Sequence, residues 1–145
     1  MVVRPDGLPC YCGSQGCWET EVGEAALIRA LGLPDDAPRG VIAAELHQLA
    51  THPTELMERL GEFAQWLAIG LCNLVNLLCP RLVVLGDLFT ELPPKLIEHV
   101  TDLVRKRSMV SRALGGVRIV TSSLRNDVKL LGAAELAFEQ VLATR

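Results

Sequence analysis

The sequence predicts a helix-rich α/β fold with a short parallel sheet. Two short β-branched runs, residues 81–86 and 117–121, are each followed by a loop and then by a helical pattern. Between residues 54 and 80, an apolar helical pattern continues for about seven turns. Helices that alternate with strands in this way are typical of α/β folds, in which the strands run parallel.

Two helices are predicted before the long one. The first is expected over residues 19–31, and it ends at Gly32 and Pro34. Its apolar positions are Val22, Ala25, Ala26 and Ala30. A turn-rich connector, residues 33–38, leads to the second helix, which continues up to Pro53. The apolar positions of the second helix are Val41, Ile42, Ala44, Leu46 and Leu49.

The long helix is expected to be central to the fold. Thr54 is its predicted N-cap and Pro80 marks its end. Beyond Trp66 nearly every face is apolar, and a helix of this kind is buried on several sides. Its repeating apolar positions are Leu56, Leu60, Phe63, Leu67, Leu71, Leu74 and Leu78.

Two more helices are predicted after the strands begin. Pro93 and Pro94 open one of them, because proline suits the first helical turn. Its apolar side carries Leu96, Ile97, Val100, Leu103 and Val104. The final helix is predicted from about residue 127 to residue 144. Its expected buried set is Leu130, Leu131, Ala134, Ala137, Phe138 and Val141.

Composition narrows the function classes. The net charge of −3 gives no electrostatic reason to expect that this chain grips DNA. No signal peptide or membrane segment is evident, so we expect a cytoplasmic protein with reduced thiols and no membrane partner. A hydrophobic content of 50 % exceeds what one small domain needs. We therefore expect a homodimer, or further sequence that covers the surplus.

Three of the five cysteines lie within eight residues, in Cys10-Tyr-Cys12-Gly-Ser-Gln-Gly-Cys17. This spacing is typical of metal ligands, and glycines permit the sharp turn that makes three sulfurs converge. The alternative is a disulfide plus a free thiol, although Cys10 and Cys12 are too close in sequence to pair easily. His47 and His52 qualify as further ligands only if the fold brings them to the loop.

The segment Cys10-x-Cys12-Gly-x-x-Gly-Cys17-x-Glu19 resembles the zinc motif of the ROK family of sugar kinases and sugar-responsive repressors. Residues 76–86 resemble the family's Asn-Leu-Leu-Asn-Pro segment, with its following strand and glycine turn, and residues 131–134 match near the start of the last helix. The resemblance implies part of an actin-like, ribonuclease-H-like ATPase lobe. It also implies a zinc ion held by Cys10, Cys12 and Cys17, with the fourth ligand, a histidine, upstream of Met1.

The resemblance further implies a division of the chain. Residues 1–145 are expected to form a single C-terminal portion of a ROK protein. Its parts are a zinc loop (1–19), a helical segment (20–80) and a β-α-β-α segment (81–145).

The resemblance implies a sugar-binding role for Glu19, for which the alternative is a favourable charge at a helix N-terminus. It places the kinase phosphate loop and the catalytic aspartate upstream of Met1. We therefore expect no catalytic residue and no enzyme activity in this chain, and weak or absent affinity for sugar.

Asp87 follows Gly86 where family kinases have a second glycine, which favours the regulator branch. Helix capping by Asp87 is the alternative. The predicted function is the effector-binding and oligomerisation portion of a ROK transcriptional regulator that responds to a sugar or sugar derivative. Such a regulator would contact DNA only through a separate N-terminal domain. The alternatives are a truncated sugar kinase and a free-standing dimerisation module.

Overall fold

The helices and strands follow the predicted order. The structure, a computed structural model, describes residues 1–113, 115–124 and 127–142. Its elements in chain order are α1 (Trp18–Val22), α2 (Glu24–Ala30), α3 (Arg39–Leu49), α4 (Pro53–Leu78), β1 (Leu82–Leu85), a 3₁₀ helix (Asp87–Glu91), α5 (Pro94–Arg107), α6 (Met109–Ala113), β2 (Arg118–Thr121) and α7 (Val128–Leu142).

The 26-residue helix α4 organises the core, as predicted, and packs against α1, α2, α3, α5 and α6. Five of its predicted apolar positions are buried: Leu56, Leu60, Phe63, Leu67 and Leu71. The exceptions are at its C-terminal end, where Leu74 is half-buried and Leu78 is exposed. The helix is therefore surrounded along most of its length, but its last turn is open.

The start of α4 differs from the prediction. The expected N-cap, Thr54, lies inside the helix, because Pro53 occupies the first helical position and His52 is the capping residue. Proline suits this position because its fixed φ is helical and its missing N–H would have had no partner there. Here the preference of proline for the first helical position outweighs the preference of threonine for the N-cap.

The single helix predicted over residues 19–31 is two helices. The chain is extended at Gly23, with φ −71° and ψ −179°, and this break separates α1 from α2. A Cβ at this position would lie 2.4 Å from Glu19 Oε1, so the close return of the chain requires glycine. Apolar spacing continues across the break, which is why periodicity alone did not reveal it.

The two predicted strands form a parallel pair. Leu82 is opposite Arg118 and Leu85 is opposite Thr121, and α5 makes the crossover between the strands. Pro93 caps α5 and Pro94 is its first residue, as the sequence predicted. The 3₁₀ helix and α6 were not predicted, because each has only five residues and shows no clear period.

The burial predicted for the last helix is wrong. Its predicted apolar residues Leu130, Leu131, Ala134, Ala137 and Phe138 are all exposed. Periodicity identifies the apolar face of a helix but does not supply a surface to bury it. The Val141 side chain and residue 144, which also belong to this prediction, lie outside the described residues.

Among the residues that the structure describes, no helix has the length and apolar character needed to cross a membrane.

The same substitution, leucine to alanine, tests the difference in burial between α4 and α7. Leu67 is 0 % exposed on α4, whereas Leu136 is 66 % exposed on α7. We expect Leu67→Ala to lower the free energy of unfolding by about 2–5 kcal/mol, because it leaves a cavity. Leu136→Ala should change it by less than about 0.5 kcal/mol. Urea denaturation measures both, and a large loss in Leu136→Ala would show that α7 is buried in solution.

Candidate functional site

The cysteine loop is a tight turn that glycine makes possible. Gly13 and Gly16 have φ of 85° and 64°, in the left-handed region that glycine occupies without strain. Backbone hydrogen bonds close the turn, from the Cys10 N–H to the Ser14 carbonyl and from the Gly13 N–H to the Cys10 carbonyl, at 2.8 and 3.0 Å. The three cysteines therefore lie on one compact loop.

The loop brings the three predicted thiols together. The sulfurs of Cys10, Cys12 and Cys17 all lie within 4.8 Å of one another, and those of Cys12 and Cys17 are 3.5 Å apart. With Zn–S bonds of about 2.3 Å, sulfurs on a tetrahedron lie about 3.8 Å apart, so the cluster fits one ion of this size. All three cysteines are free thiols, and the disulfide alternative is not observed. The three cysteines can hold a metal.

Hydrogen bonding within the cluster shifts the pKa values of two thiols in opposite directions. The backbone of Ser14, followed by Cys10 and Cys17, lowers the pKa of Cys12. Hydrogen bonds to Cys12 and Cys10, with burial, raise the pKa of Cys17 to about 11. A thiol that donates its proton to a neighbour resists losing it, whereas the acceptor forms a thiolate more readily. Of these two thiols, Cys12 therefore forms the thiolate, which is the form that binds a cation, more readily.

Neither candidate histidine joins the cluster. His47 lies 3.7 Å from Glu91, and the His52 ring contacts Thr51 at the end of α3. Over the described parts of the chain, the only group of three or more potential metal ligands is the cysteine set. The described residues thus supply three ligands to one ion. None of them supplies the fourth ligand of a tetrahedral site.

Trp18 fixes the loop to the core. Its indole Nε1–H donates to the Trp66 carbonyl at 3.0 Å, and its ring lies directly against Gly70 in α4. A Cβ at Gly70 would lie 2.0 Å from the indole ring. The sequence did not reveal that Gly70 leaves the space that the Trp18 ring occupies.

Glu19 is exposed in the first turn of α1, two residues after the buried Cys17. Its carboxylate is on the same loop-to-helix junction as the thiol cluster. The role in sugar binding that the resemblance assigns to Glu19 remains a prediction.

Asp87 is held by an ion pair. Its φ of 55° is unusual for a non-glycine residue, and its Oδ1 accepts a hydrogen bond from Arg39 at 2.6 Å. Arg39 also binds Glu24 at 2.7 Å, and the two carboxylates, that of Glu24 foremost, raise the pKa of Arg39. The N-cap of the 3₁₀ helix is Gly86, so Asp87 is the first residue inside that helix.

A pocket that the sequence did not reveal opens beside α1. Its volume is about 450 Å³, and it lies between the N-terminal turn, α2 and α4. Charged and aromatic side chains line it, among them Arg4, Glu21, Arg29, Arg59, Phe63 and Trp66. The Glu21 pocket, as we name this set, does not include Glu19. No sequence motif indicated Glu21, because its contact with Arg4 joins residues that are 17 positions apart.

Helices around α4, a parallel strand pair and a three-thiol loop define a portion of the actin-like ATPase fold. Two solved structures share it. The ROK hexokinase from Thermus thermophilus has a TM-score of 0.70 and 26 % identity, over 99 % of this chain and 47 % of that one. A ROK family glucokinase from Streptomyces griseus, solved with glucose and AMPPNP, has a TM-score of 0.64 and 30 % identity, over 94 % and 49 %.

The chain belongs to the ROK family, whose model matches residues 1–140. It is 26 % identical to a glucokinase of Streptomyces coelicolor over 93 % of this chain and 48 % of the relative. It is 27 % identical to the xylose repressor of Bacillus subtilis over 98 % of this chain and 36 % of the relative. The chain thus spans half or less of the length of these relatives.

One prediction is corrected by these matches. We expected the chain not to be an enzyme, but sugar kinases are among its relatives, and both structures above are kinases. The relatives include kinases and repressors over nearly the same residues. Membership of the family is therefore shown, and the choice between its two branches is not made by similarity.

Two glycines of α4 test the seat of Trp18. Gly70→Ala would push the indole ring away, and we expect it to lower the free energy of unfolding by about 1–3 kcal/mol. Gly61→Ala is the matched control, because the nearest atom to its Cβ is 4.0 Å away. That variant should gain stability of up to about 1 kcal/mol from helix propensity. Urea denaturation compares them, and equal stabilisation by both would show that Trp18 does not occupy this seat.

Proposed function

We propose that this chain is the effector-binding and oligomerising portion of a ROK regulator that responds to a sugar or a sugar derivative. The observation that carries the proposal is the joint placement of three converged thiols and the exposed Glu19 on one anchored loop. Cys10, Cys12 and Cys17 would hold a metal ion that cross-links the loop, and the loop would present the Glu19 carboxylate to the sugar.

Zinc is the metal that the donor set favours. Thiolates select soft or borderline ions, and three sulfurs on a compact loop suit a tetrahedral ion. The resemblance supplies the fourth ligand as a histidine upstream of Met1. When bound, zinc would supply cross-linking of the loop. The thiols of Cys10, Cys12 and Cys17 would hold it as thiolates, and Trp18 would keep the loop on α4.

Sugar is the effector class that Glu19 suits. A carboxylate accepts hydrogen bonds from two neighbouring hydroxyl groups and so orients a polyol. The S. griseus glucokinase was solved with glucose, and the repressor relatives are named for xylose. These relatives support a monosaccharide as the ligand class.

The regulator branch is supported by two observations. Xylose repressors match up to 98 % of the chain. The turn after β1 also carries the Asp87 carboxylate, held in place by Arg39, where the resemblance expects glycine in kinases. A carboxylate there repels the phosphates of a nucleotide. DNA contact through a separate N-terminal domain and a homodimeric assembly belong to the same proposal.

The kinase branch is the second candidate. It is favoured by the glucokinase relatives and by the two kinase structures. In this case the same loop would position a sugar for phosphorylation, with other catalytic parts supplied from outside these residues. Formation of ADP that depends on both glucose and ATP, measured with a purified protein that includes those parts, would favour this branch. A sugar-dependent change in oligomeric state without ADP formation would favour the regulator.

Metal analysis tests the loop. We expect protein purified without chelator to contain about one zinc ion per chain, and Cys12→Ser to lose it, because two sulfurs hold zinc much less tightly than three. Cys79→Ser is the control, since Cys79 is exposed and lies outside the cluster. Elemental analysis gives the ratio. Protein without zinc, or equal zinc in Cys12→Ser, would contradict the proposed metal site.

NMR titration with D-glucose and D-xylose tests Glu19. We expect weak binding that shifts the amide signals of residues 17–20, and about tenfold or greater weakening in Glu19→Gln, which loses a charged acceptor. Glu98→Gln, on the exposed face of α5, is the control. Shifts that persist unchanged in Glu19→Gln would remove Glu19 from the sugar site.

A further inference from the structure

The carboxylate of Glu21 is buried without a full set of hydrogen bonds. Glu21 is only 8 % exposed, and its Oε1 has no hydrogen-bond partner within the described residues. The other oxygen makes a single contact, to Arg4 at 3.4 Å, which is long for an ion pair. A buried carboxylate in this condition loses hydration without recovering it, so a donor that reaches it gains free energy.

The N-terminal turn packs closely over the Oε1 side of this carboxylate. Gly7 lies directly beside Glu21, and a Cβ there would lie 2.9 Å from Oε1. The same Cβ would also crowd Gly16, at 2.7 Å from its Cα. Only glycine at residue 7 therefore lets the N-terminal turn pack over Glu21.

The charges that line the pocket balance. Three arginines, Arg4, Arg29 and Arg59, face three carboxylates, Asp6, Glu21 and Glu62. A lining with no net charge gives no reason to attract a phosphate or another ion. It offers donors and acceptors side by side, which suits a neutral molecule with many polar groups.

Two of these arginines are already engaged, which weakens the case for an anion further. Arg29 donates to the Thr20 carbonyl at 2.7 Å. Arg59 binds Glu45 at 2.7 Å and also donates to the Leu31 carbonyl. Arg4 is the loosely held member, with contacts of 3.4 and 3.5 Å to two carboxylates.

Aromatic side chains supply the apolar part of the pocket. Phe63 and Trp66 form its α4 side, and the Arg4 guanidinium lies 5.4 Å from the centroid of the Trp66 ring. Trp66 also donates from Nε1 to Glu62 at 3.3 Å. Apolar walls with a few placed polar groups are typical of small-molecule pockets, and they suit the C–H faces of a polyol.

We propose that the Glu21 pocket binds a small neutral polyhydroxylated molecule, a free sugar or a polyol, at a site separate from Glu19. A hydroxyl of the ligand donates to the Glu21 carboxylate, and the ligand displaces the Arg4 side chain. Arg4 is weakly held, because its contacts are long, at 3.4 and 3.5 Å, and its side chain is 46 % exposed, and the ligand hydroxyl then replaces it as the donor to Glu21. This site goes beyond the proposed function, because neither Glu19 nor any of the three thiols lines it.

NMR titration of the full chain with D-glucose, D-xylose and sorbitol tests the proposal. We expect at least one of these probes to shift the Trp66 indole N–H signal and the amides of Arg4 and Glu21, whereas inorganic phosphate at equal concentration does not. Glu21→Gln should weaken this binding by about tenfold or more, because it removes a charged acceptor. Trp66→Phe, on the partly exposed wall, should weaken it too, and because this variant has no indole signal at residue 66, its binding is followed through the Arg4 and Glu21 amides.

The control variants separate the two sites. Glu19→Gln and Glu98→Gln should leave the Trp66 shift unchanged. Because Glu21 is buried, the amide spectrum of Glu21→Gln is used to show whether this variant keeps its fold. If it does not fold, Trp66→Phe tests the pocket instead.

The proposal is overturned if none of the three probes shifts Trp66, if phosphate shifts it equally, or if binding is unchanged in the folded variants. Shifts confined to residues 17–20 and lost in Glu19→Gln would overturn this site and support the proposed function. A Trp66 shift without any change near Glu19 would do the reverse.

Discussion

The seat of Trp18 on α4 is the contact on which both sites depend. Its indole donates to the Trp66 carbonyl and lies against Gly70, so the residue between Cys17 and Glu19 is fixed to the central helix α4. Trp66 in turn presents its own ring to the Glu21 pocket. One segment of α4 therefore holds the loop that carries the thiol cluster and also forms a wall of the pocket.

A second constraint joins the cysteine loop to the N-terminal turn. The N–H groups of Val3 and Arg4 both donate to the Gly16 carbonyl, at 2.9 and 3.1 Å. A Cβ at Gly16 would lie 1.5 Å from the Arg4 carbonyl oxygen, so no other residue fits without rebuilding the turn. The glycine that allows the thiols to converge also brings Arg4 over Glu21. Order in the metal loop and order in the pocket mouth thus rest on the same backbone contact.

Sequence alone predicted what is local and periodic. The three thiols, the long helix α4, the two parallel strands and the proline start of α5 follow from spacing and from the limits of proline and glycine. What it missed depends on distant contacts. Gly23 breaks a continuous apolar pattern because the Glu19 side chain returns there, and the Glu21 pocket exists because Arg4 and α4 meet around it. The contacts that form these sites join residues far apart in sequence: Trp18 and Trp66 are 48 positions apart, and Arg4 and Glu21 are 17 apart.

Burial differs between two parts of the structure: the helices that carry the sites are packed, whereas α7 and β1 expose apolar side chains. The cysteine loop and the Glu21 pocket rest on α1, α2 and α4, whose facing apolar side chains form one continuous buried cluster. In contrast, α7 exposes Leu130, Leu136 and Phe138, and β1 exposes Leu82 and Val84. Exposed apolar residues of this number gain free energy when covered, so the sheet and α7 are the surfaces at which further protein would add to the fold. The Glu21 pocket is formed by residues that are already packed, whereas the metal loop carries the exposed Cys12 and, in the proposed function, takes its fourth ligand from outside these residues.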